Sequence, residues 1–143
     1  MADVIYNAFK KNIMNGGIDL DTDTIKVMLV TSSYTPDQDT HEDRADVTNE
    51  VSGTGYTAGG AEITTGAVTA DNTDNEGVYD GDDVTWTSAT VTARGAVIYK
   101  STGTAANDLL VCYFDFGSDQ SSSAADFTLS WNAEGIINLG DAA

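Results

Sequence analysis

Side chains able to do covalent chemistry are scarce here. One histidine, His41, and one cysteine, Cys112, stand against twenty-three aspartates and glutamates. A lone imidazole excludes a metal site built from several histidines, and a serine or cysteine nucleophile would have to recruit His41 as its base. No glycine-flanked elbow presents such a nucleophile. Cys112 lies in the apolar run Leu109-Leu110-Val111-Cys112-Tyr113-Phe114, where a small buried hydrophobe is expected, and a single cysteine permits no internal disulfide. Paired carboxylates of the glycosidase kind need only two acids about 5 to 10 Å apart. With so many acids, such pairs arise by chance and carry no signal. The chain reads as a non-enzyme without a cofactor.

Acids in a spaced pattern can also hold calcium. Residues 72–83 approximate a calcium loop, with oxygen-bearing side chains at alternating positions and Gly77 at the sixth place, so Asp74, Glu76, Asp80 and Asp83 are the candidate ligands. The pattern departs at both ends, since Asn72 replaces the first aspartate and Asp83 the final bidentate glutamate. An acidic hairpin loop with chain-reversing glycines accounts for the same residues. Residues 53–60 are glycine-rich but lack a following lysine or helix, so they read as turns at a strand edge rather than a phosphate loop. Trp86 and Trp131 could form a platform for sugars, although their strand contexts favour core packing.

The charge balance restricts partners. Six lysines and arginines against the twenty-three acids give a formal net charge of −17. A surface of that sign repels nucleic-acid phosphates and anionic lipid heads, and keeps the protein soluble at high local concentration. Only Lys10 and Lys11 adjoin, and no basic stripe forms. The first residues lack a basic leader followed by an apolar run, and no segment is long and apolar enough to cross a bilayer, so synthesis in a cytoplasm is expected.

The elements that would carry these residues are mostly strands. A short helix is expected within residues 1–17, capped by Asp3, with Ile5, Ala8, Phe9 and Ile13 on one face and Gly16-Gly17 ending it. Residues 24–31 form the clearest strand, with Ile25, Val27 and Leu29 on one side. Further short strands are expected at 62–70, 77–80, 84–86, 93–100, 109–116, 127–131 and 136–139. Ala96-Val97-Ile98-Tyr99 is apolar on both sides and should lie centrally, and Ser121-Ser122-Ser123 reads as a loop. The whole chain, 1–143, is expected to be one mainly β domain, an antiparallel sandwich or barrel over 18–143 with a single N-terminal helix. A polar loop follows the first strand, to about Val51. Within it Tyr34, Pro36, His41 and Arg44 combine aromatics, a rigid turn and a donor fork, a mixture suited either to a partner or to closing over the chain's own sandwich. Lys10 and Lys11 on the helix are the other candidate contacts.

Several stretches also resemble a known family. Ile25-Lys26-Val27-Met28-Leu29-Val30-Thr31-Ser32, then Tyr34-Thr35-Pro36-Asp37 and Gly53-Thr54-Gly55-Tyr56-Thr57-Ala58-Gly59-Gly60, are similar to small structural proteins of tailed bacteriophages. Asp82-Asp83-Val84-Thr85-Trp86, Thr92-Ala93-Arg94-Gly95-Ala96-Val97-Ile98-Tyr99-Lys100, Phe114-Asp115-Phe116-Gly117-Ser118-Asp119-Gln120 and Trp131-Asn132-Ala133-Glu134-Gly135-Ile136 follow in the same order as in that family. The resemblance implies a virion component, foremost a capsid decoration or cement protein whose partner is the major capsid protein. A tail or head-tail component, or a host-glycan adhesin, is the alternative. Closed symmetry is usual for shell-decorating proteins, and a trimer would suit a local three-fold position.

Overall fold

The structure, a computed structural model, describes residues 2–141. It is mainly β, with two antiparallel sheets and one short helix. The large sheet contains β1 (Val4–Ile5), β2 (Ile25–Val30), β3 (Ala61–Glu62), β6 (Val84–Lys100) and β7 (Leu110–Leu129), in the order β1-β7-β6-β2-β3. The small sheet has the order β4-β5-β8, from β4 (Ala67–Asp71), β5 (Glu76–Asp80) and β8 (Ile137–Leu139). Neither sheet closes on itself, so the architecture is a sandwich rather than a barrel. Tyr79 and Ile137 of the small sheet share one buried core with Val27, Ala96 and Ile98 of the large one.

The helix α1 (Asn7–Met14) begins later than its apolar spacing predicts. Val4 and Ile5 pair with Tyr113 and Cys112, giving their backbone groups sheet partners and leaving Tyr6 extended at the helix start. Asp3 is therefore no helix cap; its carboxylate accepts a hydrogen bond from the Asp115 amide at 2.8 Å. Ile5 is not on the helix stripe either. Ala8 and Phe9 are buried as expected, Ile13 packs against the core, and Gly16 reverses the chain at φ +79°.

The expected strand 62–70 divides between β3 and β4, because Thr65, at φ +52°, turns the chain from one sheet to the other. Conversely, segments 84–86 and 93–100 belong to one strand, as do 109–116 and 127–131. Ser121-Ser122-Ser123 is thus in a strand, not a loop. The β6–β7 ladder shifts register between Trp86 and Ala89, Ala89 and Val91, Ala93 and Gly95, and Ile98 and Tyr99. Such bulges let a long ribbon carry polar residues without losing its pairing. Hydroxyl pairs brace its wet face, Thr85 with Thr128 at 2.9 Å and Thr92 with Ser121 at 2.8 Å.

Both faces of the central strands are covered. Ala96, Val97 and Ile98 are 0% exposed, between β2 and β7, which confirms their central place. On the side away from the small sheet, Met28, Val30, Val97, Tyr99, Leu110 and Tyr113 pack with Tyr6 and Tyr34. That second core is why β2 is apolar at successive positions and not only at alternate ones.

Candidate functional site

The loop between β2 and β3 supplied most of the expected contact residues, and the structure turns the most prominent ones inward. Tyr34 is 2% exposed, its ring edge-on to Tyr113 at 5.8 Å and stacked on His41 at 5.8 Å. Its hydroxyl lies 2.8 Å from that of Tyr6 and 3.0 Å from His41 Nδ1, which also accepts the Asp37 amide at 3.3 Å. An N–H can only donate, so Nδ1 carries the lone pair; Tyr34 donates to it and Tyr6 donates to Tyr34. Burial raises the Tyr34 hydroxyl to about 12, and pushes Tyr6 further up. His41 thereby pins a loop, and no serine or cysteine shares a hydrogen bond with it among the described residues.

Arg44 is likewise committed to its own chain. Its Nε donates to Asp108 Oδ2 at 2.8 Å, and its guanidinium lies 5.4 Å from the centre of the Tyr99 ring. Asp108 is 0% exposed. Burial by itself raises its pKa, but the Thr102 amide at 2.6 Å, Arg44 and the Thr102 hydroxyl at 2.8 Å outweigh that and hold it below the usual carboxylate range. Tyr34 and Arg44, expected to face a partner or to fasten the loop, therefore fasten it. Pro36 is half-buried. Lys10 and Lys11 are exposed, Lys10 donating to Asn7 Oδ1 at 3.0 Å and Lys11 lying 3.6 Å from Glu42.

Within the acidic segment 72–83 the chain makes a hairpin turn and then strand β5. Residues 72–75 turn β4 into β5, with Asn75 at φ +60°. Asp74 and Glu76 gather with Asp71, their carboxylate oxygens within 4.8 Å of one another, and Asp71 Oδ1 accepts the amides of Thr73 and Asp74. Asp80 sits at the far end of β5, roughly 13 Å along the strand from Glu76. Asp83 accepts the Trp131 amide at 3.0 Å. Of the four proposed ligands Asp74 and Glu76 are thus brought together, with Asp71 beside them, and a regular strand separates Asp80 and Asp83 from that pair.

The other reactive or aromatic candidates are structural. Cys112 is 1% exposed and burial pushes its thiol well up, away from the reactive thiolate. Trp86 is 5% exposed against Phe127 and Tyr56. Trp131 is half-buried beside Phe114 and donates its indole N–H to the Asp82 carbonyl at 2.9 Å. Residues 53–60 form turns at the β2 edge. There the Tyr56 hydroxyl accepts the Leu29 amide at 2.9 Å and donates to Glu50 at 2.8 Å. Gly60, at φ +75°, lies so close to the Val27 carbonyl that a side chain would collide with it.

What remains is a groove of about 580 Å³ across the small sheet, walled by the end of α1 and the turn after it. Register places Val68 opposite Tyr79 and Tyr79 opposite Ile137, with Gly77 opposite Leu139. Alternate strand residues share a face, so these five form its floor. Tyr79 and Ile137 are buried, whereas Val68 is 47% and Leu139 67% exposed. A Cβ added at Gly77 would meet nothing within 4 Å. Asp19 and Asp21 stand in the wall, and no basic residue lines the groove among the described residues. Backbone amides hold both acids: Asp21 Oδ1 accepts from Val68 at 3.1 Å, and Asp19 Oδ1 from Asp21 at 3.0 Å. The site offers apolar contact area with negative charge at one side.

Sequence reasoning did not find this groove, since three separate segments build it. One signal was present: Val68 and Leu139 are large apolar residues in short strands, Val68 among otherwise small or polar ones. No known protein family, curated protein or solved structure matches this chain.

Proposed function

We propose that this protein is a non-enzymatic structural component of a bacteriophage virion, a decoration or cement protein that binds the assembled major capsid shell and stabilises it. The observation that carries the reading is the contrast between a self-covered acidic β body and one open apolar groove. A decorating protein needs a rigid body, a docking patch and an outer face that does not adhere to neighbouring particles. The order of the family-like stretches along the chain supports the same placement. Burial of Trp86 weighs against the glycan-binding alternative, which would need that ring exposed. The test is co-sedimentation of the purified protein with capsids assembled without it, alongside isolated tails. Saturable binding to capsids and a rise in their disruption temperature are expected. Binding to tails alone would replace the decoration reading with the tail one.

A further inference from the structure

Resting on that docking role, we infer that the groove over Gly77 takes a short polypeptide segment of the partner, with apolar side chains flanked by lysine or arginine. Among the described residues four large apolar side chains stand exposed, Ile5, Met14, Val68 and Leu139. Two of them, Val68 and Leu139, floor this groove, and Ile13 of the helix end lines it. Exposed apolar area gathered at one concave place is what a docking segment covers. Charge selects the kind of segment. Asp19 and Asp21 stand in the wall without a lining cation, on a chain of net charge −17, so flanking positive charges are attracted and negative ones repelled. A second copy of this chain fits poorly. It brings the same net charge, and Lys11, Arg44, Arg94 and Lys100 are already paired with Glu42, Asp108, Asp119 and Asp23.

Gly77 provides the test, because a strand position with open space above it can accept a large side chain that fills the groove while leaving the fold intact. The probe is the synthetic peptide Lys-Lys-Leu-Val-Leu-Lys-Lys, titrated into isotope-labelled protein and followed by amide chemical shifts. Shifts concentrated at Val68, Gly77 and Leu139 are expected, with affinity at least about tenfold above that for the same peptide carrying aspartate in place of lysine. Gly77→Phe should weaken binding by about tenfold or more at unchanged melting temperature. If that variant fails to fold, Leu139→Lys, which removes exposed apolar area from the groove floor and repels the cationic probe, should weaken it comparably. Equal binding of the two peptides, shifts elsewhere, or undiminished binding by the filled variant would overturn the assignment. Capsid experiments separate this inference from the function it rests on. Capsid binding that survives Gly77→Phe overturns the groove and leaves the decoration role standing. Peptide binding in the groove by a protein that ignores capsids overturns the role and leaves the groove.

Discussion

On the large sheet, Met28, Val97 and Leu110 in one core and Val27, Ile98 and Val111 in the other are each no more than 1% exposed, whereas on the small sheet Val68 and Leu139 stand 47% and 67% exposed. The difference lies in how much chain is laid over each. The β2–β3 loop contributes Tyr34 and Val47 to the second core of the large sheet, and the small sheet receives only a helix end and one turn on its groove side. Covering apolar surface costs ordered backbone, about 1 to 2 kcal/mol per residue, so a compact chain covers first what carries its stability. The large sheet is therefore where the fold is held, and the small sheet keeps apolar surface open to solvent.

Substitutions at matched positions should separate the two. Ile98→Ala, in the fully buried central strand, is expected to lower unfolding free energy by about 2 to 5 kcal/mol, read from urea titration. A loss below about 1 kcal/mol would mean that the large sheet is not the stabilising one. Arg44→Met removes the main cationic partner of a carboxylate sealed from water, and a loss of about 3 kcal/mol is expected. A neutral result would detach the loop from the energetics of the sheet beneath it.

Alkaline pH tests the cover more gently. Burial raises Tyr34, Tyr79 and Tyr99 to about 12 from 10, and Tyr6 and Tyr56 further. The folded state thus favours neutral phenols. Their contribution is complete below pH 10 and is lost as pH rises through 12, because the unfolded chain ionises first. Urea midpoints measured at stepped pH should stay level up to pH 10 and then fall; a flat profile to pH 12 would show the tyrosines to be open to water. The smallest effect belongs to the small sheet. Leu139→Ser should change stability by no more than about 0.5 kcal/mol, and a larger loss in thermal melts would mean that the groove is already filled by this chain.

Much of the large sheet was legible in the residues. A segment apolar on both sides, such as Ala96-Val97-Ile98-Tyr99, can only be central, and the alternation around Val27 marks a strand. The ribbon was not legible, because Ser121-Ser122-Ser123 has loop composition and only bulged pairing with β6 keeps it extended. Thr65 shows the converse, where one turned residue divides what reads as a continuous strand. Tyr34 and Arg44 illustrate a different difficulty. The residue types that anchor partners are also those that anchor a loop, since both tasks need a large flat side chain and a fork of donors, and only the fold decides between them. Asp108 gave no sign at all, as one acid among twenty-three.

The pairing of β1 with β7 has a consequence for synthesis. Val4 and Ile5 leave the ribosome long before Tyr113 and Cys112, the residues they pair with. Strand β1 must wait unpaired until β7 is made, so the outer edge of the large sheet is added late. A nascent chain stalled before Cys112 should keep Val4 and Ile5 accessible to protease even while β2 is already made.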